Sequence, residues 1–241
     1  MLRTGKLDLS PPNRVQRSSP EGKPGWLHKV MLISPDKGES LTPNAFLVEQ
    51  MPNTTVRPHF HENSQFQIFV GGSGTIGKSE IQPYTAQYVA GHTGYGPITA
   101  REYGLLYMTL RPSAPAGAIY LPEERHRLDR TRRMRQTMSE PCPAGTANAA
   151  NPVVTLIEPE ADGLAGWMVW VAPNQTVPAP VHPGGKARYY VVARGELIAA
   201  DGAQLPPLSC AFTTADEMAM PLTAGPNGVE VMVLQFPADA D

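Results

Sequence analysis

The chain has 241 residues and a formal net charge of −2, and 17% of its residues are charged. Average soluble proteins are about 25% charged and nucleic-acid-coating proteins are strongly basic, so this composition argues against a nucleic-acid partner. Gly and Pro contribute 22 and 26 residues, which indicates dense turns between short strands. The length suits two domains of roughly 100 residues or one large all-β unit.

Residues 1–25 are polar and rich in Pro and Gly, which is typical of a loose arm. They contain no apolar secretory segment, and the longest apolar stretch, near Trp167 to Ala172, is far short of a membrane span. The two cysteines, Cys142 and Cys210, are too few for a disulfide framework. The sequence therefore predicts a cytoplasmic protein without a membrane partner.

From Trp26 the chain changes to short runs rich in β-branched, aliphatic and aromatic residues, separated by turn residues. The runs in the first half are KVMLISP, NAFLVEQM, QFQIFVG and GLLYMTLRP. They predict short strands. In QFQIFV the residues Gln65, Gln67 and Phe69 share one face because successive strand side chains alternate. We expect that face to line a polar space while the other face packs.

Between the halves, residues 116–152 predict a helical and flexible linker. Glu123 and Glu124 follow Pro122, which suits a helix N-terminus. Six arginines lie between Arg125 and Arg135. They predict a solvated face or a brace across an interface, with anion binding as the alternative. The small polar residues that follow indicate a flexible connection.

The second half repeats the strand pattern of the first, in GWMVWVAP, ARYYVVARG, SCAFTT and VEVMVLQFP. An ungapped alignment of PHFHENSQFQIFVGGSGTI with APVHPGGKARYYVVARGEL relates the halves. It pairs His61 with His182, Gln65 with Lys186, Gln67 with Arg188, and Gly74 with Gly195. This predicts two copies of one β module.

The chemistry of the chain is concentrated in its histidines. His59 and His61 are two residues apart, so on a strand their imidazoles point to the same side. His92 follows after strands that can fold back beside the first. Three converging imidazoles suit a divalent transition metal, namely Fe, Mn, Ni, Cu or Zn.

The spacing His59-x-His61-x3-Gln65-x6-Gly72 resembles the first motif of the cupin superfamily, with Gln65 where glutamate is usual. VAGHTGYGPI, which contains His92, resembles the second motif, although its leading proline and its asparagine are absent. The resemblance implies an all-β fold of two double-stranded β-helix (jelly-roll) barrels, a bicupin. The predicted domains are an arm at 1–25, a metal-binding barrel at 26–115, the linker at 116–152 and a degenerate barrel at 153–241.

The resemblance also implies a set of site residues. His59, His61 and His92 would hold the metal, with Gln65 as a fourth ligand or as a hydrogen-bonding neighbour of the ligands. A neutral amide leaves the full +2 charge of the metal, which suits an anionic substrate. Gln67 would orient that substrate, and Tyr95 would offer it a phenol.

In the second module Pro180 stands at the His59 position, and a proline cannot bind metal. Lys186 and Arg188 would repel a divalent ion. The second barrel is therefore predicted to be structural, with an anion pocket of His182, Lys186 and Arg188 as the alternative.

The predicted function is an iron dioxygenase acting on a small organic acid, phenol or dicarbonyl. The alternatives are a metal-dependent isomerase or lyase on a sugar or keto acid, and a non-catalytic cupin that binds a small molecule. Because cupins commonly pair through strand edges and arms, the polar arm indicates a homodimer in which it covers a neighbouring edge strand.

Overall fold

The computed structural model describes residues 2–22, 25–36, 42–114, 117–214 and 216–240. Their regular structure consists of antiparallel strands and one short 3-10 helix, which confirms the all-β prediction. No helix in these residues is long and apolar enough to cross a membrane. The predicted boundary between residues 115 and 116 lies outside the described residues.

The contacts within the chain define two compact units. The N-terminal unit comprises residues 8–141, and the C-terminal unit combines the described residues 2–7 with 142–240. The described residues 117–141, predicted as part of a linker, thus belong to the N-terminal unit.

The N-terminal unit contains eleven strands among the described residues, and each of the four predicted β-rich runs of the first half overlaps one of them. They are β2 (Arg14–Arg17), β3 (Leu27–Ile33), β4 (Asn44–Gln50), β5 (Thr55–Val56), β6 (His59–Phe60), β7 (Gln65–Ile76), β8 (Ser79–Ile81), β9 (Thr85–Val89), β10 (Ile98–Arg111), β11 (Ile119–Tyr120) and β12 (Gln136–Met138). The main sheet has the order β12-β9-β7-β10-β4-β3-β2, with β5 beside β10 and β8 beside β7. β6 pairs with β11 in a separate ribbon.

The C-terminal unit contains β1 (Arg3–Gly5), β13 (Val153–Ile157), β14 (Ala165–Val171), β15 (Thr176–Val177), β16 (Ala187–Ile198), β17 (Gln204–Leu205), β18 (Cys210–Thr214) and β19 (Leu222–Phe236). They form a sheet of order β1-β18-β16-β19-β14-β13, with β15 beside β19 and β17 beside β16. Each unit has its own buried cluster of apolar side chains.

The N-terminal arm is not loose. Its β1 pairs with β18 and its β2 pairs with β3, so it covers an edge of a sheet in each unit of its own chain. The homodimer stays a prediction.

The predicted helix in the arginine-rich segment is a single 3-10 turn, Arg125–Arg127, without a side-chain N-cap. The segment lacks the regularly spaced apolar residues that would hold an α-helix against a sheet. Arg127 instead contacts Glu62 at 3.1 Å, and the Arg135 guanidinium lies over the ring of Tyr88. Both contacts lie within the N-terminal unit, so the predicted brace across an interface stays a prediction.

Each unit contains a glycine at which a neighbouring backbone approaches too closely to leave room for a Cβ atom. Gly72 has a φ of +76°, and a Cβ there would lie 2.2 Å from the carbonyl oxygen of Gly104. Gly195 has a φ of +77°, and a Cβ there would lie 2.0 Å from the carbonyl oxygen of Gly228. Gly195 therefore corresponds to Gly72. The alignment of Gly74 with Gly195 was wrong by two residues, because identity was too low to fix the register.

We predict that Gly72→Ala destabilises the N-terminal unit more than Gly22→Ala. Both glycines have positive φ, which costs an alanine about 1–2 kcal/mol, but no atom lies within 4 Å of a Cβ at Gly22. Gly72→Ala must also displace backbone. Urea unfolding measures the difference, and equal losses would contradict the contact argument.

Candidate functional site

The side chains on the inner face of the main sheet line a cavity in the N-terminal unit. Strand register places Lys29, Val48 and Tyr107 side by side, and the next inward row contains Phe46, Thr109 and Gln67. The cavity measures about 240 Å³. Its lining includes Trp26, Lys29, Phe46, His59, His61, Gln67, Tyr95, Tyr107, Arg111 and Tyr120.

His59 and His61 lie together at one wall of this cavity, with their ring centroids 5.2 Å apart. The Nδ1 atom of His59 lies 2.8 Å from the carbonyl oxygen of Arg57, and that of His61 lies 2.6 Å from the carbonyl oxygen of Gly117. A carbonyl oxygen only accepts, so each Nδ1 carries the proton of the neutral ring. Each Nε2 then keeps its lone pair.

Both imidazoles are held neutral. Burial lowers the pKa of His59 to about 4, opposed by its bond to Arg57 and aided by the charges of Arg111 and Lys29. Burial also lowers the pKa of His61 well below its usual value, and the adjacent guanidinium of Arg111 lowers it further. Neutral rings act as acceptors through Nε2 rather than as cations.

Arg111 occupies the acceptors that the histidine motif offers. It is the last residue of β10 and is 6% exposed. Its Nη2 donates to His61 Nε2 at 3.0 Å and to Gln65 Oε1 at 2.8 Å, while its Nε donates to the same Oε1 at 3.0 Å. The guanidinium carbon lies 5.3 Å from the centroid of Phe46. The head group is thereby fixed at the cavity wall.

Gln65 joins Arg111 to Tyr95. While its Oε1 accepts from the guanidinium, its Nε2 donates to the Tyr95 hydroxyl oxygen at 2.6 Å. The backbone of Tyr95 pairs with the backbone of His59 in an antiparallel β-bridge. Burial raises the pKa of the Tyr95 hydroxyl. The predicted site residue Tyr95 therefore lies beside the histidine pair as a neutral phenol.

The structure leaves His92 out of the cavity. Its ring packs 5.7 Å from that of Phe60, and its Nδ1 accepts the backbone N–H of Asp129. Phe60 lies between His59 and His61 in the sequence, so it points to the opposite side of their strand. The predicted convergence of His92 with the pair is corrected by this placement.

Gln67 lines the cavity as the strand alternation predicted. In the described part of the chain, its buried Oε1 atom has no hydrogen-bond partner. Buried acceptors are normally satisfied, so a ligand N–H or O–H group would complete this one.

The sequence reasoning missed Lys29 and Arg111. Lys29 Nζ lies 4.5 Å from the centroid of Phe46, the ring that Arg111 also faces. A signal for Arg111 was present, because Tyr107, Thr109 and Arg111 alternate along one strand face. Lys29 carried no comparable signal within KVMLISP.

The residues of the cavity do not fit a divalent metal ion. The described residues contain no group of three or more His, Cys, Asp and Glu side chains that could hold one. A metal bound to His61 would lie about 2.0–2.1 Å from Nε2, in the direction that the cationic Arg111 already fills. The Oε1 atom of Gln65 accepts a hydrogen bond from the same guanidinium, so it is not available as a metal ligand.

The C-terminal unit contains a similar Arg–Gln pair with the strands exchanged. Arg188 Nε donates to Gln235 Oε1 at 3.1 Å. Gln235 Nε2 donates to the carbonyl oxygens of Gly163 and His182. Nζ of Lys186 bonds the carbonyl oxygen of Ala240. The three residues that the sequence offered as an anion pocket, His182, Lys186 and Arg188, thus form hydrogen bonds within the protein.

No protein-family model and no curated protein matches the sequence. Solved structures do resemble it. A "putative dioxygenase" from Nostoc punctiforme is 10% identical with a TM-score of 0.61, and the match covers 100% of this chain and 81% of that chain. Pirin YhhW from Escherichia coli, in complex with nickel(II), is 13% identical with a TM-score of 0.57, at 98% and 99% coverage.

Oxalate decarboxylase from Bacillus subtilis, a protein with Mn(II) centres, is 12% identical with a TM-score of 0.58, at 98% and 78% coverage. These neighbours are cupin-fold proteins, and the fold of this chain is the cupin fold. At such identities the likeness concerns the fold, and the metals belong to the proteins that hold them.

We predict that the neutral histidines make the N-terminal unit sensitive to acid. In the unfolded chain they titrate near 6.5, whereas in the folded chain the pKa of His59 is about 4. Below pH 6.5 the unfolded state therefore binds more protons, and stability falls by up to about 1.4 kcal/mol per pH unit for each histidine.

Urea unfolding at pH 7 and pH 5 tests this prediction. His61→Gln should lose less stability between the two pH values than the wild type, while His126→Gln, at an exposed site, should lose as much. An equal pH dependence in all three proteins would contradict it.

Proposed function

We propose that the N-terminal unit binds a small organic anion, a carboxylate with a flat or apolar body, inside its cavity. One observation carries the proposal: the lining includes the cationic side chains Arg17, Lys29 and Arg111, and none of the described lining residues is acidic. A cavity with charge of one sign concentrates ligands of the opposite sign. This corresponds to the small-molecule-binding alternative of the sequence analysis.

Arg111 is the anchor in this proposal. Its bonds to His61 and Gln65 fix the plane of the guanidinium before any ligand arrives, so little side-chain entropy is lost on binding. Its Nε and Nη2 atoms already donate to Gln65 and His61, so a bound carboxylate would accept from Nη1 of the same guanidinium. The rings of Phe46, Tyr107 and Tyr120 supply apolar surface for the body of the ligand.

We predict that benzoate binds the wild-type protein and that its uncharged analogue benzamide binds at least about tenfold more weakly. A hydrogen bond to a charged group contributes about 1.5–3 kcal/mol, so Arg111→Met should weaken benzoate binding by a similar factor. Isothermal titration calorimetry measures all three affinities.

Arg101→Met is the matched control, because Arg101 is exposed and pairs with Glu80 on the surface. It should leave benzoate binding unchanged. Equal affinities for benzoate and benzamide, or benzoate binding that survives Arg111→Met, would refute the proposal.

A metal-dependent dioxygenase is the second candidate. The paired Nε2 lone pairs of His59 and His61 support it, as do cupin-fold neighbours described with nickel(II), Mn(II) or a dioxygenase name. It requires Arg111 to leave His61. Iron and oxygen chemistry remain proposals.

We predict that untagged protein contains well under one equivalent of Fe, Mn, Ni, Cu or Zn, because Arg111 takes the position beside His61. Elemental analysis by mass spectrometry tests this. One equivalent of metal that is lost in His61→Ala, together with oxygen uptake on a catechol or diketone, would establish the second candidate instead.

We also propose that both units are cupin barrels, the C-terminal one degenerate and structural. The matching glycine contacts at Gly72 and Gly195 support common ancestry of the two modules. The hydrogen bonds of Gln235 support a structural role for the second, because they join β19 to the segments around Gly163 and His182.

A further inference from the structure

We infer that Lys29 is a nucleophilic amine that forms a Schiff base with a small oxo acid held in the cavity. The inference rests on the proposed function, because the carboxylate of the oxo acid would occupy the same anchor, Arg111. It adds a covalent reaction and narrows the ligand from carboxylates in general to those with a ketone or aldehyde group.

The position of Lys29 suits this reaction. It lies in the middle of β3 on the inward face, in register with Val48 and Tyr107, and it lines the cavity. The amine sits over the ring of Phe46 at 4.5 Å, and the guanidinium of Arg111 faces the same ring at 5.3 Å. Both groups line the same cavity, so we place the carboxylate of the oxo acid at Arg111 and its carbonyl carbon at Lys29.

The surroundings of Lys29 increase the unprotonated fraction of its amine relative to that of an exposed lysine. Its pKa is lowered to about 8, first by burial and then by the positive charges of Arg111 and Arg17. His59 and His61, which also line the cavity, are neutral at pH 7 and add no charge beside the amine. A lysine placed in an apolar pocket next to another cation is a recognised way to activate the amine as a nucleophile.

The reaction balances without a further reactant. The Nζ lone pair forms a bond to the carbonyl carbon, and the π electrons of the C=O bond move to its oxygen. The two N–H protons of the amine then leave with that oxygen as water, and a C=N bond remains. Protonation of this nitrogen gives the iminium, which an added borohydride reduces to a stable secondary amine by delivering hydride to carbon.

The test is reductive trapping with pyruvate and sodium cyanoborohydride, followed by peptide mass spectrometry. Wild-type protein should gain one carboxyethyl group at Lys29 and much less at Lys78, which is exposed. Lys29→Arg, which keeps the charge, should lose this labelling, and Lys78→Arg should retain it. Benzoate should protect Lys29, because it competes for Arg111.

Arg111→Met separates capture of the carboxylate from the reactivity of the amine. It should reduce labelling by pyruvate at least about tenfold and reduce labelling by the uncharged propionaldehyde by much less. Equal reduction with both reagents would refute the role of Arg111 in this reaction.

The two proposals fail in different ways. If benzoate binds but Lys29 is labelled no faster than Lys78, the Schiff-base inference is wrong and the anion-binding function stands. If benzoate does not bind and Lys29 is not labelled selectively, both are wrong. Selective labelling of Lys29 that benzoate does not affect would leave a reactive lysine and refute the shared anchor.

Discussion

The contact of Arg111 with His61 and Gln65 organises the whole cavity. A guanidinium stays protonated at any physiological pH, so this side chain brings a permanent positive charge into a largely buried place. It uses the lone pair of His61 and the amide oxygen of Gln65, which directs the amide nitrogen of Gln65 to Tyr95. Its charge also disfavours protonation of His59, His61 and Lys29.

The C-terminal unit shows what the same fold does with a similar pair of side chains. There the arginine lies on β16 and the glutamine on β19, the reverse of the N-terminal arrangement. Gln235 also bonds the backbone of the segments at Gly163 and His182. In the N-terminal pair, Arg111 instead lines a cavity. The exchange of the two residues between adjacent strands thus accompanies a different set of hydrogen-bond partners.

The pair of His59 and His61 lies at the wall of the cavity, but the neighbouring strands decide what that pair can do. In this chain the unprotonated Nε2 of each ring is the form that metal ligands require, and yet an arginine from β10 bonds one of them. The electrostatics then favour anions over cations. The resemblance to metal-containing proteins concerns the strands, and the chemistry follows from the side chains on them.

The sequence by itself determined the all-β class, eight of the strands that the structure describes and the shared face of Gln65 and Gln67, because these depend on local composition and on alternation with period two. It also brought His59 and His61 together, since their spacing alone orients them. Only the tertiary structure decided that His92 points to Phe60 and that Lys29 and Arg111 enter the cavity. Those placements depend on strand register between residues far apart in the chain, which local patterns do not encode.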